Sequence, residues 1–255
     1  MSIPQQDAEH QTMPRIAVIS CAVMDTEVEH FAAQLDQVVH VAFLEQGLHN
    51  EPDRLRRELQ QMIDHVEQTT DADAIVLVYG LCSRGTEGVR TRRCKLVIAR
   101  AHDCITLLLG DKDRYAQYVK EHPDTYWYSP GWNKHHTPPG KARYDKLYKQ
   151  YTEQFGEDEA QYLMETEQHW FQTYGRAAYV HLTVGRTGED VQFTKDCADW
   201  LNWDYDEQDG DAQLLIDLLS GEWDDERFVV LEPGRAFEFV PDERVIEPAD
   251  PAGPI

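Results

Sequence analysis

Basic residues are scarce in this chain. Its 255 residues hold 24 Lys and Arg against 47 Asp and Glu, a net charge of −23. Nucleic acid and anionic membrane surfaces both require a basic footprint, so neither is expected as a partner. No run of about 18 apolar residues occurs, so no membrane span is expected. The opening, MSIPQQDAEHQTMP, is polar and lacks the apolar core of a secretory signal. Residues 1–13 are therefore expected to form a disordered leader, and the protein to be cytoplasmic. There is no CxxC pair, no phosphate-loop pattern ending in Gly-Lys-Ser/Thr, and no GxGxxG dinucleotide fingerprint.

The acidity is uneven. Residues 1–110 carry 16 acids and 10 bases, whereas the remaining 145 residues carry 31 and 14. The excess reads as a solubility device, one that suits a salt-tolerant host. Five cysteines are present, Cys21, Cys82, Cys94, Cys104 and Cys197. An odd number in a chain this long does not suggest a disulfide framework. Such cysteines serve as buried hydrophobes, metal ligands or nucleophiles.

The apolar pattern alternates. RIAVISCAV (15–23) reads as a buried strand and MDTEVEHFAAQL as a helix with acids in its first turn. VVHVAFL opens a second strand. EPDRLRRELQQMIDHVEQT (51–69) is a helix with Pro52 in its first turn and Leu55, Leu59, Met62, Ile63 and Val66 on one face. ADAIVLVYG (72–80) and KLVIAR (95–100) are further strands, and 104–122 is mainly helical. This is the alternation of an open parallel α/β sheet, flavodoxin- or Rossmann-like, with right-handed crossovers. Residues 14–123 form that sheet region. Residues 124–234 add an aromatic Pro/Gly-rich connection, helices and further strands (AAYVHL, RFVVLEPG) that complete the same domain. Residues 235–255 are expected to be an extended acidic tail.

On this framework Cys21 ends the first strand, Cys82 follows the third, and Cys104 opens the helix after the fourth. In strand order 2-1-3-4 those three strands are neighbours, and ligands bind at the edge where parallel strands end. Outer strands roughly 10 Å apart allow loops of a few residues to bring three thiolates together. Zn²⁺ is the preferred guest, with three ligands and an open fourth position. An iron–sulfur (4Fe-4S) cluster with one open iron is the alternative. His102 and Asp103 are candidates to orient the site or move protons. Packing alone is the competing account of each cysteine; Cys94 and Cys197 read as structural. In VYGLCSRGTEG, backbone N–H groups with Arg84 or Arg90 can hold an anion, but a plain turn is the better account of the glycines. Trp127 and Trp132, in YWYSPGWNKHH, can cover an apolar or cationic ligand or form a second small core.

The stretches ISCAVMDTE, IVLVYGLCSRGTEGV, VIARAHDCITLLLGDKDRY, YWYSPGWNK, YTEQFGEDEAQYLMETE and LLSGEWDDERFVVLEPG resemble the domain of unknown function numbered 1638. That resemblance spans about residues 15 to 234, with YGLC and HDCITLLLG its most specific parts. It implies a role beside corrinoid-dependent methyltransferases, in methyl transfer or one-carbon metabolism, with corrinoid carried only by a partner protein. Cys21, Cys82, Cys104, His102 and Asp103 lie inside the matching stretches. The expectation is a metal-dependent enzyme or accessory protein acting on a small-molecule substrate. The alternatives are an iron–sulfur protein and a non-catalytic module that binds a small molecule or a corrinoid protein.

Overall fold

The structure, a computed structural model, describes residues 13–249. The first half alternates β1 (Ile16–Cys21), α1 (Asp25–Ala32), β2 (Val38–Leu44), α2 (Pro52–Thr69), β3 (Ala74–Val78), β4 (Lys95–Ala99), α3 (Cys104–Leu109) and α4 (Lys112–Glu121). The second half contains β5 (Thr125–Tyr128), α5 (Pro130–His135), α6 (Lys141–Phe155), α7 (Glu157–His169), β6 (Arg176–His181), α8 (Gly188–Leu201), β7 (Asp204–Asp209), α9 (Gln213–Ser220), β8 (Phe228–Leu231) and the hairpin β9 (Phe237–Phe239) with β10 (Ile246–Pro248). No helix among the described residues is long and apolar enough to cross a membrane.

The main sheet has the order β2-β1-β3-β4-β8. Its first four strands pair in parallel, and β8 closes the edge antiparallel to β4. Every residue of β1 and β3 is buried, as expected of central parallel strands covered on both faces. On one face α2 lays down Leu55, Leu59, Ile63 and Val66, spaced by four, four and three residues and all without exposed surface. Burial of each such side chain contributes about 1.5–3 kcal/mol. Leu214, Leu215, Leu218 and Leu219 of α9 join the same core.

A second sheet, β5-β6-β7, is parallel throughout. Two of its strands depart from the sequence reading. β5 falls within the aromatic, Pro/Gly-rich connection, and β7 is the acidic stretch DYDEQD, an edge strand with no apolar alternation to betray it. The helix expected over 104–122 is two helices, broken at Gly110, whose φ is 80°.

The end of the described chain corrects another expectation. Residues 237–248 are a packed hairpin rather than extended tail. Phe237, Val245 and Ile246 are buried, and Arg100, only 9% exposed, bonds to the carbonyls of Asp225 and Ile246 and to Glu247. A buried guanidinium left unpaired would be costly, so this pairing fixes the hairpin against β4. The expected leader lies almost wholly outside the described residues.

Candidate functional site

Residues at the C-terminal ends of β1, β3 and β4 and in the second sheet line one cavity of about 670 Å³. Cys21, Cys82 and Cys104 share its wall with His102, Asp103, Trp127 and Trp132. The structure therefore brings together all three expected thiols and four of the other five expected site residues.

Each thiol is delivered by a distinct local device. Cys21 is the last residue of β1. Cys82 arrives through an extension of strand pairing, with Leu81 N bonded to Ala101 O at 2.8 Å and Cys82 N to His102 O at 3.0 Å. Asp103 then caps α3, accepting from the backbone N–H groups of Ile105 (3.0 Å) and Thr106 (3.3 Å), which sets Cys104 at the first turn. Gly80 permits this approach, since a Cβ there would stand 2.4 Å from the Asp103 nitrogen.

The glycines of this stretch do not make the turn at Cys82. Cys82, Ser83 and Arg84 themselves adopt left-handed backbone, with φ of 47°, 56° and 65°. Three consecutive non-glycine residues in this region are strained by roughly 1–2 kcal/mol each. The turn is held by Gly85 N on Cys82 O at 2.9 Å and by the Thr86 hydroxyl on the carbonyls of Gly80 and Leu81.

The three thiols act on one another. Cys21 and Cys82, the cavity neighbours of Cys104, together with burial push its pKa well above the usual thiol value. The Cys104 interaction holds Cys21 below that value, against the opposing effect of burial, with a further contribution from the Val23 backbone. Cys21 is thus the first of this pair to ionise. Among the described residues, no three or more His, Cys, Asp or Glu side chains stand in metal-holding geometry.

Asp103 is occupied as a helix cap and by the Tyr115 hydroxyl at 2.8 Å, while burial raises its pKa. His102 is exposed at the rim and stacks on Tyr115, which stacks on Trp127. Trp132 stacks on His49 at 5.8 Å. Burial lowers the pKa of His49 and His136, so these two of the cavity-lining imidazoles are neutral at pH 7.

Arg84 is not at this cavity. It is paired with Glu87 at 2.8 Å, leaves 63% of its side chain exposed, and faces a separate cleft with Arg56, Arg90 and Arg235. The left-handed turn places Cys82 at the cavity, and Glu87 captures the guanidinium three residues on. Cys94 sits at the far end of β4, where Glu67 accepts from the backbone N–H groups of residues 92–94. Burial pushes Cys94 and Cys197 up to about 12, in keeping with packing roles.

Sequence reasoning missed Tyr79, His49 and Arg143 among the cavity residues. Tyr79 was legible only as a strand end. The other two carry no local pattern that points to a shared cavity.

A mainly parallel α/β sheet with a thiol-lined cavity at its strand ends defines the class of protein. The chain belongs to the family described as Protein of unknown function (DUF1638), which matches residues 43–219. Cys82 and Cys104 fall inside that span, and Cys21 precedes it. No curated protein and no solved structure matches the chain.

Proposed function

We propose that this protein is a metal-dependent enzyme or accessory protein that binds Zn²⁺ through Cys21, Cys82 and Cys104 and serves methyl transfer with a corrinoid protein. The supporting observation is the meeting of three thiols, each from a different strand end, at one cavity. Soft thiolate donors suit Zn²⁺, and three of them leave a fourth position toward the cavity, the pattern of catalytic rather than structural zinc. Zinc bound there would supply Lewis-acid activation of a thiol or similar nucleophile. No ready-made ligating cluster stands among the described residues, so zinc binding on this reading would require the thiols to close on the ion and lose their protons.

The protein's own groups prepare that closure. Cys21 ionises ahead of Cys104, whose raised pKa keeps its proton in place until a bound cation displaces it. Asp103 fixes the start of α3 and so the position of Cys104. His102 at the rim is placed to exchange protons with solvent, and Trp127 and Trp132 exclude water from the apolar side of the cavity. The corrinoid partner and the methyl group follow from the resemblance to the family's setting and are part of the proposal.

Elemental analysis tests the reading, on protein purified without oxygen or chelators. Wild type is expected to carry one equivalent of zinc, and the Cys21→Ser, Cys82→Ser and Cys104→Ser variants to lose it. Iron with acid-labile sulfide and a brown colour would favour the cluster at the same thiols. Metal that survives all three substitutions, or no metal in wild type, sinks the proposal.

A further inference from the structure

Three buried hydrogen-bond donors in the cavity have no acceptor among the described residues, the Tyr79 hydroxyl, the Arg143 Nε and the Trp132 Nε1. The Tyr79 hydroxyl is buried and unpartnered, on a residue 2% exposed that lines the cavity with all three site cysteines. The Arg143 Nε is also buried without a partner; among the described residues that guanidinium donates through Nη2, to Glu167 at 3.0 Å. Both residues line the same cavity. A buried donor left unsatisfied costs about 1–3 kcal/mol, so each position favours an acceptor brought by a ligand.

The carboxylates of the cavity are already matched. Asp103 takes two backbone N–H groups and the Tyr115 hydroxyl, and Glu45 is paired with Arg54. His49 and His136 are neutral. The surplus is therefore of donors, which disfavours a cationic ligand despite the aromatic rings. Tyr126, Trp127 and Trp132 supply apolar surface for the body of a small molecule.

We propose that the cavity binds a small bifunctional anion with a thiol at one end and an acid group at the other. Its sulfur sits over Cys21, Cys82 and Cys104 and accepts from the Tyr79 hydroxyl, and its acid group accepts from Arg143. The thiol end rests on the metal reading above; the acid end rests on Arg143 alone.

The probes are the mercapto acids from mercaptoacetate to mercaptobutyrate, each against the mercapto alcohol of the same chain length. Binding to the full chain is read by calorimetry, with zinc content measured on the same samples. At least one acid is expected to bind roughly tenfold tighter than its alcohol. Arg143→Gln should erase that preference and leave alcohol binding unchanged. Tyr79→Phe should weaken acid and alcohol alike, by roughly tenfold, with zinc retained. A zinc-loaded wild type that binds every acid no better than its alcohol overturns this proposal and leaves the metal reading standing. A zinc-free wild type that still prefers the acid, with the preference erased in Arg143→Gln, sinks the metal reading and keeps the acid end. The wild-type comparison needs no variant to fold, and a preference that persists in Arg143→Gln counts against the assignment.

Discussion

The two sheets meet at one cavity and are made of opposite materials. The main sheet is dry: β1 reads IAVISC and β3 AIVLV, and every one of those residues is buried. The second sheet has a core of six buried residues, around Tyr128 and Tyr179, and its outer strand β7 carries four acids on a half-exposed edge. Arg176 pairs with Asp204, and Arg186 with Glu207, to offset that charge. Close-packed apolar strands hold positions tightly, and the thiols sit at their ends. The second layer contributes rings from β5 and a guanidinium from α6, which shape the opposite wall. Fixed chemistry and adjustable recognition are thus divided between two layers.

If that division is real, the seam between the layers is where the molecule is easiest to break. Gly131 in α5 lies against the turn after β1, and a Cβ there would stand 1.8 Å from the Val23 carbonyl oxygen. Backbone cannot yield as a flexible side chain can. Gly131→Ala is expected to cost about 3 kcal/mol, which lowers the melting temperature by roughly 6–12 °C. It should also disturb metal retention at Cys21, only two residues before Val23. An unchanged melting temperature would show the seam to be slack.

A second seam group makes the comparison depend on pH. Glu27 of α1 is 1% exposed, neither carboxylate oxygen has a partner, and a Cβ on Gly185 of the second layer would lie 3.3 Å from it. Burial raises its pKa from 4.5 to about 7. The folded state therefore holds this proton more tightly than the unfolded chain does. The resulting stabilisation is complete below the unfolded pKa of 4.5 and is lost as pH rises through about 7. The loss amounts to about 3 kcal/mol. Glu27→Gln should flatten this part of the stability profile and leave the protein more stable than wild type at pH 8. Denaturant titrations of both proteins across that range check it, and equal slopes would remove Glu27 from the account.

The two layers were also unequally legible in the sequence. The β-branched runs of β1, β3 and β4 and the striped face of α2 showed an alternating α/β sheet, and the flavodoxin-like order 2-1-3-4 taken for it, which gives Cys21, Cys82 and Cys104 a shared edge, matches the observed order. β5 and β7 were hidden because TYWY is embedded in Pro/Gly-rich chain and DYDEQD lacks apolar residues; their pairing with β6 is decided by tertiary context. The hairpin after Gly234 was hidden by its acids, since what holds it is Arg100, over a hundred residues away. Tyr79 and Arg143 became visible only when the cavity brought them together without acceptors. The role of Gly80 was open to misreading for a related reason: its constraint is the neighbouring loop, not its own φ.

The smallest expected effect tests how firmly the main sheet holds its edge. Ser83 is exposed, yet its φ of 56° lies in the left-handed region between two residues in the same state. Ser83→Gly would relieve roughly 1–2 kcal/mol of strain. Glycine's greater freedom in the unfolded chain takes back roughly 0.5–1 kcal/mol. The net gain is about 0.5–1 kcal/mol, or roughly 1–4 °C in melting temperature. A stabilised variant that keeps its metal would show that the strands and the Cys82–His102 backbone bond position the thiol. A stabilised variant that loses metal would show instead that the strained turn itself aims Cys82, with the rigid sheet only its anchor. A variant with no gain in stability would mean that the left-handed turn carries no strain for glycine to release.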